Sequence, residues 1–270
     1  MKFRLSVALL AAQLLAAASQ AETPAGASEW LDHDYGAVRL ISKSAVLPPD
    51  GKVWLGLHFR LEPGWHTYWR TPGDAGLPPA FSFEGSENLK RYDLAWPVPK
   101  RASENGQETF VYENEVVLPF LLIARDKFQP LSLKLHVTYA VCSEICIPQE
   151  ADLQLRLAPG QPQVAPFAPL IDGFLARVPQ KAQAAGVKIV SLKNGAEVEL
   201  RSPRPLQAPQ VIVEFPEGYA RLLSAAEVPG NRLTARFDLA GANLKPAAQS
   251  SQRPNLIFVD GERAFEAAMP

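Results

Sequence analysis

Two cysteines, two methionines and four histidines are all that 270 residues offer by way of soft or imidazole metal ligands. Cationic charge is not in excess either, with 27 Lys and Arg against 28 Asp and Glu. Neither nucleic acid nor an anionic membrane surface is therefore an expected partner. There is no G-x-S-x-G, no glycine-rich phosphate loop and no metalloprotease histidine pair, so serine and carboxylate hydrolase readings have no support. No repeat of 20–50 residues recurs. Past the N-terminus no run of apolar residues approaches a membrane span, and no cofactor is expected.

What the chain does have is a core-forming composition, 47% apolar and 20% charged, and 25 prolines. That proline content favours a loop-rich, strand-rich exported protein over a helical bundle. Lys2 and Arg4 precede the apolar stretch 5–18, and Ser19-Gln20-Ala21 places small residues before Glu22. This is the pattern of a secretory signal peptide over 1–21, and the stretch is short for a span of ~20 residues. The cleaved product is expected to be soluble, monomeric and periplasmic, a compartment in which two cysteines can pair.

Residues 22–36 read as a flexible leader. From Ala37 the sequence falls into short alternating segments. Val53, Leu55, Leu57 and Phe59 alternate with Trp54, Gly56, His58 and Arg60, a period-two strand. Residues 70–80 are rich in Pro and Gly and read as a long loop. The clearest unit is 131–157. Leu131, Leu133, Leu135, Val137, Tyr139 and Val141 share one parity, and Ala151, Leu153, Leu155 and Leu157 continue it after a break at Ser143-Glu144-Ile145. That is a hairpin with one apolar face. Prolines around 159–162 mark a boundary, giving 37–160 and 161–270 as domains. Residues 168–185 are the one helical candidate, and strands follow at 187–192, 196–201, 211–215, 233–239 and 256–259. An all-β fold of two sandwiches fits this spacing.

The chemistry lies in Cys142 and Cys146. A fully extended chain holds residues four apart at about 13 Å, whereas a disulfide needs Cα atoms within about 7 Å. The expected hairpin turn brings the two across its mouth. Cys142 carries the polar-face parity, so it is expected to be reachable. Three readings stay open on these residues alone. The pair is a reversible dithiol/disulfide, a structural staple, or a Cu(I) site built from two thiolates. A bridge over so short a loop removes little unfolded-state entropy, which favours the first. His136 shares the parity of Cys142, while His33, His58 and His66 have no local ligand spacing, so no metal site is assigned.

The segment VTYAVCSEICIPQEADLQL (137–155) resembles the cysteine segment of the N-terminal periplasmic domain of DsbD-type thiol:disulfide interchange proteins, in particular the ScsB-like branch associated with copper tolerance. GWHTYWRTPGDAGLPPAFSFEGSEN (64–88), AWPVPKR (95–101) and ETFVYENEVVLPF (108–120) fit the same family in the same order. The resemblance implies an immunoglobulin-like β-sandwich, followed by a second, smaller β-sandwich over 161–270. It implies a disulfide reductase domain in which Cys142 and Cys146 take electrons from a membrane-embedded, DsbD- or CcdA-like thiol reductant. Those electrons pass to periplasmic thioredoxin-fold proteins, with Cys146 the residue joined to partners. Family members continue into membrane-spanning and thioredoxin-like segments, which are not found before Pro270, so a separate reductant is expected. Cu(I) handling and a non-catalytic adaptor with a structural bridge remain the alternatives.

Around the pair, Glu144 and Pro148 read as turn residues. The aromatic run Trp65, His66, Tyr68 and Trp69 leads into the 70–80 loop. Trp65 and Trp69 read first as core plugs. Shielding of the cysteines is the functional reading for this whole run, Trp69 included, and support of the dithiol is that for Asp74 in the loop and for Tyr139, whose parity places it on the inner face.

Overall fold

The computed structural model describes residues 24–104, 106–182, 188–193, 197–215, 218–228, 231–238, 255–261 and 263–268. The expected signal peptide lies outside the described residues. The first strands are β1 (Leu31–His33), β2 (Gly36–Ser42), β3 (Lys52–Leu61), β4 (His66–Gly73), β5 (Ala80–Ser82) and β6 (Leu89–Leu94). There follow β7 (Lys100–Glu104), β8 (Gln107–Glu113), β9 (Glu115–Ala124), β10 (Leu131–Cys142) and β11 (Cys146–Leu157), then helix α1 (Ala168–Leu175). The C-terminal part holds β12 (Gln180–Lys181), β13 (Lys188–Lys193), β14 (Glu197–Arg201), β15 (Pro209–Phe215), β16 (Gly218–Val228), β17 (Arg232–Asp238), β18 (Asn255–Asp260) and β19 (Arg263–Ala268).

The first unit is an immunoglobulin-like sandwich. A sheet in the order β1-β2-β3-β9-β6 packs on a sheet in the order β11-β10-β4-β8-β7, with β5 added beside β10. Period two dictates the layering. Leu55, Leu57 and Phe59 of β3, Leu118, Phe120 and Leu122 of β9, and Leu133, Leu135, Val137 and Tyr139 of β10 all point into one core. The opposite parity of β3, which the sequence leaves as an outer face, is also covered. Gly56 sits so close to Val117 and Ile171 that an added Cβ would lie 2.4 Å from the former and 3.3 Å from the latter. Helix α1 therefore packs on the first unit, and the connection between units falls after the helix rather than at 160.

Residues 24–36 are not a loose leader. Ser28 N donates to Leu40 O and Ser42 N to Gly26 O, and β1 extends the sheet beside β2. The Trp30 ring lies between the Arg39 and Arg60 guanidiniums, 4.1 and 4.0 Å from its centroid, and 4.8 Å from the His58 ring. Composition missed this segment because its anchors are two aromatics, Trp30 and Tyr35, spaced irregularly among small polar residues. His58 is buried beneath Trp30. Arg39 Nε donates to His58 Nδ1, and an arginine cannot accept, so the His58 proton sits on Nε2 and is donated to Glu115 at 2.8 Å. Burial, chiefly, holds this imidazole below the ordinary histidine range.

In the second unit the strands form a sheet in the order β12-β19-β18-β15-β16-β17-β14-β13. Its core draws Val211, Val213, Leu256 and Phe258 from one half and Leu200, Leu233, Ala235 and Phe237 from the other, so the two halves of the sheet share one core. The alternate parity of β15, β16 and β18 faces the first unit. Ile212, Tyr219, Ile257 and Val259 join the first unit's core, with Tyr219 edge-on to Phe110 at 5.2 Å. Burying such side chains is worth about 1.5–3 kcal/mol each as an upper bound, whereas the Coulombic gain of a sheltered ion pair is largely offset by its desolvation. Apolar burial, not charge, holds the units together.

Candidate redox site

Strands β10 and β11 form an unbroken antiparallel ladder from Leu131↔Leu157 to Cys142↔Cys146. The two cysteines are the last pair before the loop Ser143-Glu144-Ile145, in which Ser143 N donates to Ile145 O. Their Cα atoms are 4.1 Å apart and the side chains form a disulfide. The register is the one the alternation of apolar residues demands.

The exposure of the two sulfurs is the reverse of the parity argument. Cys142 is 1% exposed, packed with Tyr68, Val111 and Ala140, while Cys146 is open to solvent. Parity does place Cys142 on the outer face of the hairpin. At this end the face is covered by Tyr68, a side chain of β4, the neighbouring strand of the same sheet, whose His66 pairs with Cys142. Beside Cys146, Ile145 is 62% exposed at the tip of the loop.

β4 brings a tyrosine to the disulfide. His66 and Tyr68 share a face, and the Tyr68 hydroxyl lies 3.5 Å from Cys146 Sγ and 3.2 Å from His66 Nε2. The His66 and Tyr68 rings meet edge to face, 5.2 Å between centroids. Above the tyrosine ring runs the backbone of the Gly73–Pro79 stretch. A Cβ on Gly76, whose φ is +102°, would fall 2.2 Å from Tyr68 Cε1 and Cζ, so only glycine lets the chain pass so close. β4 itself runs to Gly73, into the stretch that its Pro and Gly content marks as a loop.

The other candidates lie elsewhere. Trp69 is fully buried in the main core, edge-on to Phe110. Tyr139 sits in the same core against Phe59, and burial raises its hydroxyl well above the tyrosine range. Asp74 is engaged with β8: its carboxylate accepts from Glu108 N and its own N–H donates to Glu108 O, each at 2.8 Å. Trp65 stacks on Tyr35, 3.8 Å between centroids. Of the aromatic cluster that the sequence offers as a shield, Tyr68 and His66 are the members that reach the disulfide, while Trp65 and Trp69 do not. The signal was present in the alternation of W-H-T-Y-W, which puts His66 and Tyr68 opposite Thr67 and Trp69.

Among the described residues no group of three or more His, Cys, Asp or Glu is placed to hold a metal ion. No described helix is long and apolar enough to cross a membrane. Of the two sulfurs, Cys146 Sγ is the one open to solvent and Cys142 Sγ the covered one.

Residues 37–158 match the family model described as thiol:disulfide interchange protein DsbD, N-terminal, and residues 177–270 match a domain of unknown function (DUF8393). Among solved structures the chain is similar to the N-terminal periplasmic domain of ScsB from Proteus mirabilis. The TM-score is 0.68 at 22% identity, over 92% of this chain and 98% of that one, which shows a shared fold across both units. The reduced N-terminal domain of DsbD from Neisseria meningitidis also matches, with a TM-score of 0.28 at 17% identity, over 44% of this chain and 86% of that one. No curated protein matches the sequence. Residues 37–158 therefore belong to the family of the N-terminal domain of the thiol:disulfide interchange protein DsbD.

Proposed function

We propose that this chain is a periplasmic disulfide reductase component that relays electrons through Cys142 and Cys146. One observation carries the reading: the bridge presents a single sulfur, Cys146, to solvent, with a tyrosine hydroxyl 3.5 Å away. In the reduced chain the Cys146 thiolate attacks a partner disulfide, joining Cys146 to one partner sulfur and expelling the other as thiolate, which takes up a proton. The Cys142 thiol then loses its proton and attacks Cys146 Sγ. The internal disulfide reforms and the partner leaves with two electrons and two protons. A membrane-embedded thiol reductant restores the dithiol by the reverse sequence. The proposed acceptors are thioredoxin-fold proteins of the same compartment, and the signal-peptide pattern at 1–21 supports export.

An equilibrium titration of the purified chain in glutathione or dithiothreitol buffers, with free thiols counted by mass tagging, tests this. A reversible two-electron transition between about −300 and −180 mV supports interchange. A bridge still closed well below about −300 mV is a staple, and the reading is abandoned.

A further inference from the structure

Between Tyr68 and Gly73, β4 departs from its partner. Tyr68 pairs with Val111 and Gly73 with Thr109, so Trp69, Arg70, Thr71 and Pro72 bulge away without a paired residue on β8. This bulge stands directly between the tyrosine at the disulfide and the glycine stretch that roofs it. A strand freed from its ladder needs another restraint to hold a side chain in place.

The restraint comes from the second unit. Glu214 on β15 shares the parity of Ile212 and so faces the first unit. It accepts from Arg70 Nε and Nη2, each at 2.8 Å, and from the Thr71 hydroxyl. The pair is sheltered, Arg70 being 27% and Glu214 14% exposed. A bidentate carboxylate fixes a guanidinium in direction as well as distance, and Arg70 lies over the Trp69 ring at 4.5 Å. Arg101 of β7 donates to Val211 O and pairs with Glu108, so the strand flanking β8 is tied to β15 as well.

We propose that the C-terminal unit serves the redox site as a clamp, with Glu214 a positioning residue that pins the β4 bulge and so keeps Tyr68 against Cys146. The clamp is a function for the domain that carries none so far, and its kinetic arm rests on the interchange reading. Docking of the two units is carried by Ile212, Tyr219, Ile257 and Val259, so loss of Glu214 leaves them together and frees only the bulge.

Two measurements on the full chain test this. In Glu214→Ala, amide hydrogen exchange in peptides covering 67–76 is expected to quicken at least tenfold, with 131–157 unchanged. In the Cys142→Ser background, alkylation of Cys146 by iodoacetamide at pH 7 is expected to slow about threefold in Glu214→Ala and likewise in Tyr68→Phe. The double variant should be no slower than Tyr68→Phe alone, because Glu214 acts through that tyrosine. Glu214→Gln keeps an acceptor for Thr71 and one for Arg70, is expected to fall between, and serves if the alanine variant does not fold. Unchanged exchange over 67–76 in both variants overturns the clamp. So does an additive slowing in the double variant, or a Tyr68→Phe that alkylates at the parent rate. A disulfide that fails the redox titration sinks interchange and leaves these outcomes to decide the clamp alone.

Discussion

Tyr68→Phe removes one oxygen and leaves the ring, which keeps its packing on Cys142, Val111 and Ala140. In the reduced chain the hydroxyl, 3.5 Å from Sγ in the disulfide form, is placed to donate to the Cys146 thiolate. Hydrogen bonds to charged groups contribute about 1.5–3 kcal/mol. The contact is long and the sulfur solvated, so the lower end applies, about 1.4 kcal/mol, which is about one pKa unit. The variant's Cys146 should thus titrate about one unit higher than the parent's. While the thiol titrates above pH 7, as an unperturbed cysteine at about 8.5 does, the thiolate fraction falls about tenfold. Greater intrinsic nucleophilicity, with a Brønsted slope of about 0.4–0.5, returns about threefold of that. The net is a three- to fourfold slower attack at neutral pH.

The assay is the pH profile of Cys146 alkylation in the Cys142→Ser chain, with and without Tyr68→Phe, followed by mass and by thiolate absorbance. The two profiles should cross as pH rises, and where both thiols are ionised the variant should be about threefold faster. A variant profile that overlays the parent, or shifts to lower pH, refutes the donor role of Tyr68. It would then leave the tyrosine as a packing residue.

Gly76→Ala should destabilise the first unit by about 2–4 kcal/mol in urea unfolding, combining a collision with the Tyr68 ring and a positive φ. A loss below about 0.5 kcal/mol would mean the loop does not rest on the ring. With one cysteine left at a time, Cys142→Ser should label at Cys146 at least about tenfold faster than Cys146→Ser labels at Cys142, since reactivity follows access. Equal rates would show that Tyr68 and its neighbours do not cover Cys142. His58 gives a pH dependence of stability. Its folded pKa lies below its unfolded one, so the unfolded chain binds the proton first as pH falls through about 6.5. Stability is complete above that and declines below it, by at most about 1.4 kcal/mol per pH unit. Glu115, Arg39 and Arg60 face the imidazole, and His58→Gln should flatten this part of the curve. If the curve steepens instead, the neutral tautomer is wrong.

The sandwich and the cysteine register were legible because both follow from alternation. A strand whose apolar residues recur at period two can pair in only one register without turning its core face to water, and 131–157 carries eight leucines and valines that say so. Helix α1 was legible as a helix but not as part of the first unit, since the partner of its apolar side is a glycine, Gly56, which leaves no trace in a hydrophobicity pattern. The strand β4 was half hidden for a related reason. Its bulge and the close-approach glycines Gly73 and Gly76 look like a loop in composition, whereas the structure uses Gly73 to bring backbone against Glu108 of β8 and Gly76 to bring it onto the Tyr68 ring.

What parity cannot report is which outer face another element will cover. Cys142 and His58 both sit at outward positions of their strands, and both are buried, one among Tyr68, Val111 and Ala140 and the other beneath Trp30. The consequence for function is direct. A dithiol with both sulfurs exposed would let either cysteine meet a partner and either resolve it. In the proposed relay, burial of Cys142 beside Tyr68 leaves the encounter to Cys146 and the resolving step to Cys142. On the proposed clamp, the strand that carries Tyr68 leaves its ladder one residue later and is held there by Glu214. The proposed order of attack and the second unit then belong to one device: an inner strand of the redox sheet held from outside the sandwich that owns it.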